Sequence, residues 1–306
     1  MLTPNDKLNR PNGNRIIQIE ITRKCDLFNC SNCTRLLPFR GKAGLEHDPW
    51  EMSLGVFERA VASLAGWPGV VALFGGNPCT HSKFSEICRI LAESVPMTQR
   101  GLWTNNLRGH GAVVRETFAP QGGDGPHGVF NLNVHCSVDA AAEMREWLPG
   151  IHVFGERPSQ HGQVIGSRED LGVSEADWIA ARERCDINQH WSAAIVERNG
   201  AASVYFCEVA AAIDGMTGQD HGLPAEPGWW QRPIADFEQQ IHGCCDRHCV
   251  VPLRLAGGTD TDDTYQVTKS FVGLDEIKLS PKVKLAVVEQ PGEQCRELTD
   301  YQRLRT

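Results

Sequence analysis

The chain has 306 residues, with 30 Lys+Arg against 38 Asp+Glu for a net charge of −8, and is 41% hydrophobic and 22% charged. That is the composition of a globular protein with a core large enough to need no disulfide staples, organised as one large domain or two smaller ones. It excludes a marginal mini-protein, and its acidic balance opposes a broad nucleic-acid-coating surface while leaving room for a local basic groove.

No run of about 18 apolar residues occurs, and Met1 to Gly13 is polar without an apolar h-region. The reading is therefore a cytoplasmic protein with no spanning helix, no secretory signal and no membrane partner. Twelve cysteines in such a chain are expected to be metal ligands or catalytic thiols rather than disulfides.

After a polar leader (1–14), Arg15 to Ile21 alternates apolar and polar residues and predicts a first strand ending just before Cys25. From Ser53, a plausible N-cap, Val56, Phe57, Ala60, Val61 and Leu64 recur at helical spacing until Gly66-Trp67-Pro68-Gly69 breaks the pattern. Val70 to Phe74 predicts a buried strand that runs into Gly75-Gly76-Asn77-Pro78. Phe84, Ile87, Cys88 and Leu91 form the next helical face, and Gly101 to Thr104 is a short strand ending at Asn105-Asn106. Val129 to His135 is another strand, with Asn131, Asn133 and His135 on one face. This alternation argues for a parallel sheet or partial barrel with ligands held by loops at the C-terminal strand ends. Pro120 to Gly128 and Gly155 to Gly172 are loop-like.

The pattern changes after Cys185. Trp191 to Arg198, Asn199-Gly200 and Ala201 to Cys207 predict a hairpin with a type I′ turn. A Pro/Gly/Trp segment (Pro224 to Trp230), a helix from about Ile234 to His242 and a cysteine cluster follow, then a polar tail with weak strand signals around Val283 to Val288. The expected divisions are a leader over 1–14, a core over 15–184, a cysteine-bearing extension over 185–270 and a tail over 271–306.

Cys25-x4-Cys30-x2-Cys33, in the loop after the first strand, is the sharpest signal. Three thiolates so close in sequence can ligate three irons of a [4Fe-4S] cube and leave one iron open to a small ligand. Unrelated loop cysteines, or a zinc site completed from a distance, are the alternatives. In Gly75-Gly76-Asn77-Pro78 the glycines permit close backbone approach and the proline stiffens the exit; a plain tight turn is the alternative. Cys185, Cys207, Cys245 and Cys249 form a candidate second ligand set, with Cys244 as the alternative to Cys245. A structural zinc using His242 or His248, or free buried cysteines, compete with it. Cys88 reads as core, and Cys79, Cys136 and Cys295 receive no role. Glu208 and Asp214 read as structural carboxylates, and Trp229-Trp230 as packing surface rather than a base-stacking platform.

On these motifs the sequence resembles the radical S-adenosylmethionine (radical SAM) superfamily over roughly residues 15–180. The usual family spacing is Cys-x3-Cys-x2-Cys, one residue shorter, and Gly75 to Pro78 is similar to the family's Gly-Gly-Glu-Pro segment with Asn77 replacing Glu. The resemblance implies an α/β fold: a partial (β/α)6 barrel followed by a hairpin-containing auxiliary-cluster extension of SPASM or twitch type. It implies a [4Fe-4S] cluster on Cys25, Cys30 and Cys33, and S-adenosylmethionine (SAM) contacts at Phe28, Gly75, Gly76, Asn77, Pro78, Asn105 and Asn133. A possible second [4Fe-4S] cluster and an electron donor such as flavodoxin or ferredoxin are implied with it. Gly162 to Glu169 loosely resembles the superfamily's Gly-x-Ile-x-Gly-x-x-Glu pattern.

The activity so implied is reductive cleavage of SAM to a 5′-deoxyadenosyl radical that abstracts a substrate hydrogen. Cys25 to Phe39, Leu73 to His81 and Trp191 to Trp230 resemble a subgroup often encoded by bacteriophages. That association implies an isomerase acting in the host cytoplasm on amino-acid-modified thymine, in DNA or as a nucleotide, with Arg35, Arg40 and Lys42 as a candidate DNA-facing patch. A radical SAM peptide-modifying enzyme and a non-enzymatic zinc-binding module are the other readings.

Overall fold

The computed structural model describes residues 16–25, 50–119, 130–131, 138–148, 166, 168, 171–183, 185, 193–251, 264–268 and 284–288. Strand β1 (Ile16–Thr22) is buried along its whole length. Its isoleucines explain why. Ile17, Ile19 and Ile21 enter the main core, while strand alternation sends Gln18 and Glu20 to the opposite face, where both are still buried. Strands β2 (Val70–Gly75), β3 (Arg100–Trp103) and β4 (Phe130–Asn131) add in parallel, one after another, on one side of β1.

On the other side of β1 lies β5 (Ala193–Arg198), also parallel. It turns at Asn199-Gly200, both at positive φ (50° and 75°) as a type I′ turn requires, into antiparallel β6 (Ala201–Tyr205). The short β7 (Leu223–Pro224) completes a seven-stranded sheet of order β4-β3-β2-β1-β5-β6-β7. A separate parallel pair joins β8 (Thr264–Thr268) to β9 (Lys284–Val288). β9 coincides with the weak strand signal of the tail; its partner gave none.

Helices α1 (Leu54–Ala62), α2 (Phe84–Ser94) and α3 (Gly111–Phe118) share one core with the sheet, bringing Phe57, Ile87, Leu91 and Val114 together with Ile19, Leu73 and Leu102. Ser53 caps α1 by accepting from the Val56 N–H, as its sequence predicts. Buried Arg100 at the start of β3 donates to the carbonyls of Ala92, Val95 and Thr117, tying the ends of α2 and α3 to the sheet. Helices α4 (Val138–Trp147), α5 (Glu175–Glu183) and α6 (Glu208–Thr217) follow. Ala211 of α6 packs on Ala194, Val196 and Tyr205 of the hairpin.

β5 lies beyond the boundary expected near residue 185, yet it pairs directly with β1, and Ile195 and Val204 share a core with Ile19. The helix expected over 234–242 is instead a 3₁₀ turn (Ile234–Phe237), one α turn (Glu238–Gln240) and a π turn (Ile241–Cys245). Gly243 weakens the end of the segment, and i to i+4 bonding is confined to the single α turn. The loop 120–128 and most of 155–172 lie outside the described residues.

Candidate metal and cofactor site

At the C-terminal edge of β1 the chain leaves and returns at one place. The Arg23 N–H donates to Trp50 O (3.1 Å), the Met52 N–H to Ile21 O (2.8 Å), and Thr22 bridges Glu51. Lys24 Nζ pairs with Glu51 at 2.7 Å. Burial pushes the Glu51 carboxyl up, but the Lys24 ammonium and the Ser82 donors outweigh it and leave its pKa below the ordinary value. Arg23 is paired with Glu20 by two bonds, 3.0 and 3.3 Å, and stacks 4.6 Å over Trp50. The segment bearing Cys25 thus starts from a fixed base.

The glycine pair is wedged against that base. The Gly76 N–H donates to Thr22 O at 2.9 Å and the Asn77 N–H to Lys24 O at 2.7 Å. A Cβ at Gly75 would lie 2.0 Å from Thr22 O, and one at Gly76 would lie 2.2 Å from Lys24 O, so no side chain fits at either position. Asn77 is fully buried. Its Oδ1 accepts from the Thr104 hydroxyl (2.7 Å) and the Cys79 N–H (3.2 Å), and its Nδ2 donates to Asn106 O (3.1 Å). That side chain buckles the end of β2 to the end of β3. Pro78 opens the 3₁₀ turn Pro78–Thr80, whose Thr80 hydroxyl lies 3.2 Å from Lys24 O.

Asn105, just past β3, donates from Nδ2 to Cys25 Sγ at 3.5 Å. Its Oδ1 is buried and has no hydrogen-bond partner among the described residues. The structure therefore brings Cys25, Gly75, Gly76 and Asn105 to one edge, formed by β1, β2 and β3. Phe28, Cys30, Cys33 and Asn133 lie outside the described residues, as do Arg35, Arg40 and Lys42.

A second thiol group is assembled from three separated segments. Cys185 follows α5, which is fastened to the cysteine loop by the Trp178 indole N–H donating to Cys245 O (3.0 Å) and by an Arg182–Asp246 ion pair. Leu171, Trp178 and Val250 pack together beneath that contact. Cys207 ends the β6 segment and caps α6. Fully buried Gln240 ties the π turn to the same strand, accepting from the Phe206 N–H and donating to Val204 O and His221 O. The π turn closes with the Asp246 N–H on Ile241 O at 2.9 Å, and in the loop after it the N–H groups of His248 and Cys249 both donate to Cys244 O at 3.0 Å.

Burial first, then the neighbouring thiols, push Cys245 and Cys249 well above the ordinary thiol range; Cys185 and Cys207 are among those neighbours for both. The Cys185, Cys207, Cys245 and Cys249 thiols are thus near enough to influence one another, although among the described residues ligand atoms approach within 4.8 Å as a group only at Asp214, His221 and Cys244. Cys244 points its thiol at Ala210 O (3.5 Å) and is raised by burial, then by Asp214 and Cys207. Of the competing histidines, His242 is exposed and held by Asp246 (2.6 Å) and Glu238 (3.2 Å), whose hydrogen bonds raise its pKa. Buried His248 is lowered by desolvation and then by Arg247.

One cluster went unread in the sequence. Ligand atoms of Asp214, His221 and Cys244 lie within 4.8 Å of one another. Asp214 accepts from the Tyr205 hydroxyl (2.5 Å), the His221 N–H (3.0 Å) and His221 Nδ1 (2.6 Å), so the buried carboxylate is satisfied internally. No spacing announces it, because its three members come from a helix, a loop and a π turn.

No family model matches the chain, and no curated protein matches it. Among solved structures it is similar to BtrN in complex with AdoMet and 2-DOIA, at 14% identity and a TM-score of 0.44, over 76% of this chain and 87% of that chain. It is also similar to selenomethionine BtrN in an open conformation, at 13% identity and a TM-score of 0.43, over 76% and 86%.

Proposed function

We propose that the chain is a radical SAM enzyme, with Cys25, Cys30 and Cys33 holding a [4Fe-4S] cluster at the C-terminal edge of β1, β2 and β3. The observation that carries the reading is Asn105: beside a cysteine of the three-thiol motif, a buried carbonyl oxygen stands without a donor among the described residues. Thiols suit iron, and an unfilled acceptor suits a ligand rich in N–H and O–H groups. Parallel sheets bind ligands at this edge.

When bound, the cluster supplies the electron that splits SAM into methionine and a 5′-deoxyadenosyl radical. The chain's own residues position the parts. Cys25 holds iron, Gly75 and Gly76 let the β2 turn close against the base of the cluster loop, Asn77 locks β2 to β3, and Asn105 Oδ1 accepts from the ligand. Gln18 and Glu20 mark the buried polar face of β1 against which substrate would lie inside a partial barrel. Flavodoxin or ferredoxin is the proposed electron donor. Cys185, Cys207, Cys245 and Cys249 are the proposed ligands of a second cluster.

For substrate, the resemblance to phage-encoded enzymes supports an amino-acid-substituted thymine rearranged by an isomerase, and a DNA substrate would have to be single-stranded or flipped to reach the site. The experiment is anaerobic reconstitution. Wild type should hold about eight irons and eight sulfides per chain, two cubes of about four each, and cleave SAM once reduced. The Cys25/Cys30/Cys33→Ala variant should hold about half and cleave none; reductant-dependent cleavage in that variant would sink the proposal. Deuterium passing from labelled substituted thymine into 5′-deoxyadenosine would support the substrate, and turnover on peptide alone would replace it.

A further inference from the structure

We propose that Asn105 sets the reduction potential of the cluster held by Cys25 and transmits ligand binding to it. The inference rests on the cluster assignment above. One side-chain amide faces two ways: Nδ2 donates to Cys25 Sγ at 3.5 Å, and Oδ1 is buried without a partner among the described residues. The residue is only 7% exposed, so the oxygen is largely shielded from bulk water.

The orientation of the amide follows from the chemistry of a metal-bound thiolate, which accepts hydrogen bonds and donates none. A flipped amide would set Oδ1 against sulfur, two acceptors facing each other, and leave Nδ2 buried and unused. With Nδ2 on sulfur, the bond strengthens as electron density on the thiolate rises, so it stabilises the reduced cluster more than the oxidised one and raises the potential.

Asn105 is also held still. The Thr104 hydroxyl donates to Asn77 Oδ1, Asn77 Nδ2 donates to Asn106 O, and the Asn106 N–H reaches Thr104 Oγ1, so both neighbours of Asn105 are pinned to the buried Asn77 buckle. A donor arriving at Oδ1 polarises the amide and makes its N–H groups better donors, since linked hydrogen bonds reinforce one another. Filling the ligand site therefore acts on the thiolate through a single side chain. Asn105 is a positioning and tuning residue here, and holds no iron itself.

The test is an electrochemical titration of reconstituted protein followed by EPR, on the cluster signal that changes when SAM is added. Without SAM, Asn105→Ala should make reduction about tenfold less favourable, which is about 59 mV for one electron. Asn105→Asp, of the same shape but without the donor and with added negative charge, should fall further. Adding SAM should move the wild-type potential more than that of Asn105→Ala. Midpoints equal to wild type in both variants, at unchanged iron and sulfide content, would overturn the inference while leaving the cluster assignment standing. Should Asn105→Ala fail to take up iron, the isosteric Asn105→Asp decides by the same criterion. Wild type without any cluster overturns the assignment and the inference together.

Discussion

Replacing Gly76 with alanine places one methyl where the backbone has left no room. The added Cβ would sit 2.2 Å from Lys24 O and 2.7 Å from Arg23 O. Both are main-chain atoms that cannot swing aside as a side-chain tip could. Relief requires the β2 turn to back away from the end of β1, which stretches the Gly76-to-Thr22 and Asn77-to-Lys24 bonds of 2.9 and 2.7 Å. At about 1 kcal/mol net per bond and about 1–3 kcal/mol for forced overpacking, the loss is about 3–5 kcal/mol, a large share of an ordinary domain's stability. With a urea slope of about 3 kcal/mol per molar, the midpoint should fall by more than about 1 M. Gly55→Ala is the matched control, because its Cβ meets only the end of the Arg59 side chain at 3.7 Å within α1, where alanine favours the helix. Since Lys24 precedes Cys25, Gly76→Ala should also reduce iron uptake at the first site. A Gly76→Ala midpoint matching wild type would refute the close-approach argument outright.

Cys245→Ser should lose the iron and sulfide of the second group and lower thermal stability while leaving reductive SAM cleavage in place; loss of cleavage together with retained second-group iron would contradict the assignment. His81 gives a pH signature. Its Nδ1 accepts from the Lys83 N–H and its Nε2 faces Met52 O, both at 3.0 Å, so the buried ring is neutral, and desolvation holds its pKa below the ordinary value of about 6.5. The stability it contributes is fully present above about pH 6.5 and is lost as pH falls through the lower folded-state pKa. Urea unfolding across pH 7.5 to 5 should therefore show a steeper acid loss in wild type than in His81→Gln, and identical slopes would refute the neutral-ring reading.

What was legible in the sequence was local. The alternation of Arg15 to Ile21, the Ser53 cap, the run Val70 to Phe74 and the Asn199-Gly200 turn all carry their structure in neighbouring residues, and each is present. What was not legible depends on tertiary approach. Nothing near Asn105 in sequence points to Cys25, eighty residues away. The motif also says nothing of the Asn77 side chain, whose amide is occupied by Thr104, Cys79 and Asn106 and joins β2 to β3. The π turn escaped because helical periodicity up to His242 says nothing of the widened turn in which the Asp246 N–H reaches back to Ile241 O. The Tyr205–Asp214–His221 network escaped for the same reason as Asn105: its bonds join segments that only the fold makes adjacent.

The polarity of the sheet separates Cys207 from the end of β1. Gln18 aligns with Ala194, and Ala194 with Tyr205, so these residues stand at one level across β1, β5 and β6. Thr22 lies four residues beyond that level in the direction of β1, while Cys207 lies two residues beyond it in the opposite direction, because β6 runs antiparallel. At about 3.3 Å per residue, about 20 Å of strand separates the end of β1 from the level of Cys207. Cys207 therefore lies well away from the edge that carries Asn105 and Cys25. Cys185, Cys207, Cys245 and Cys249 come from the end of α5, the end of the β6 segment and the π turn and the loop after it, segments remote in sequence, so a metal held by them would fasten those segments together and its binding energy would become folding energy. This is why Cys245→Ser is expected to cost stability first and to leave the edge chemistry at β1, β2 and β3 intact.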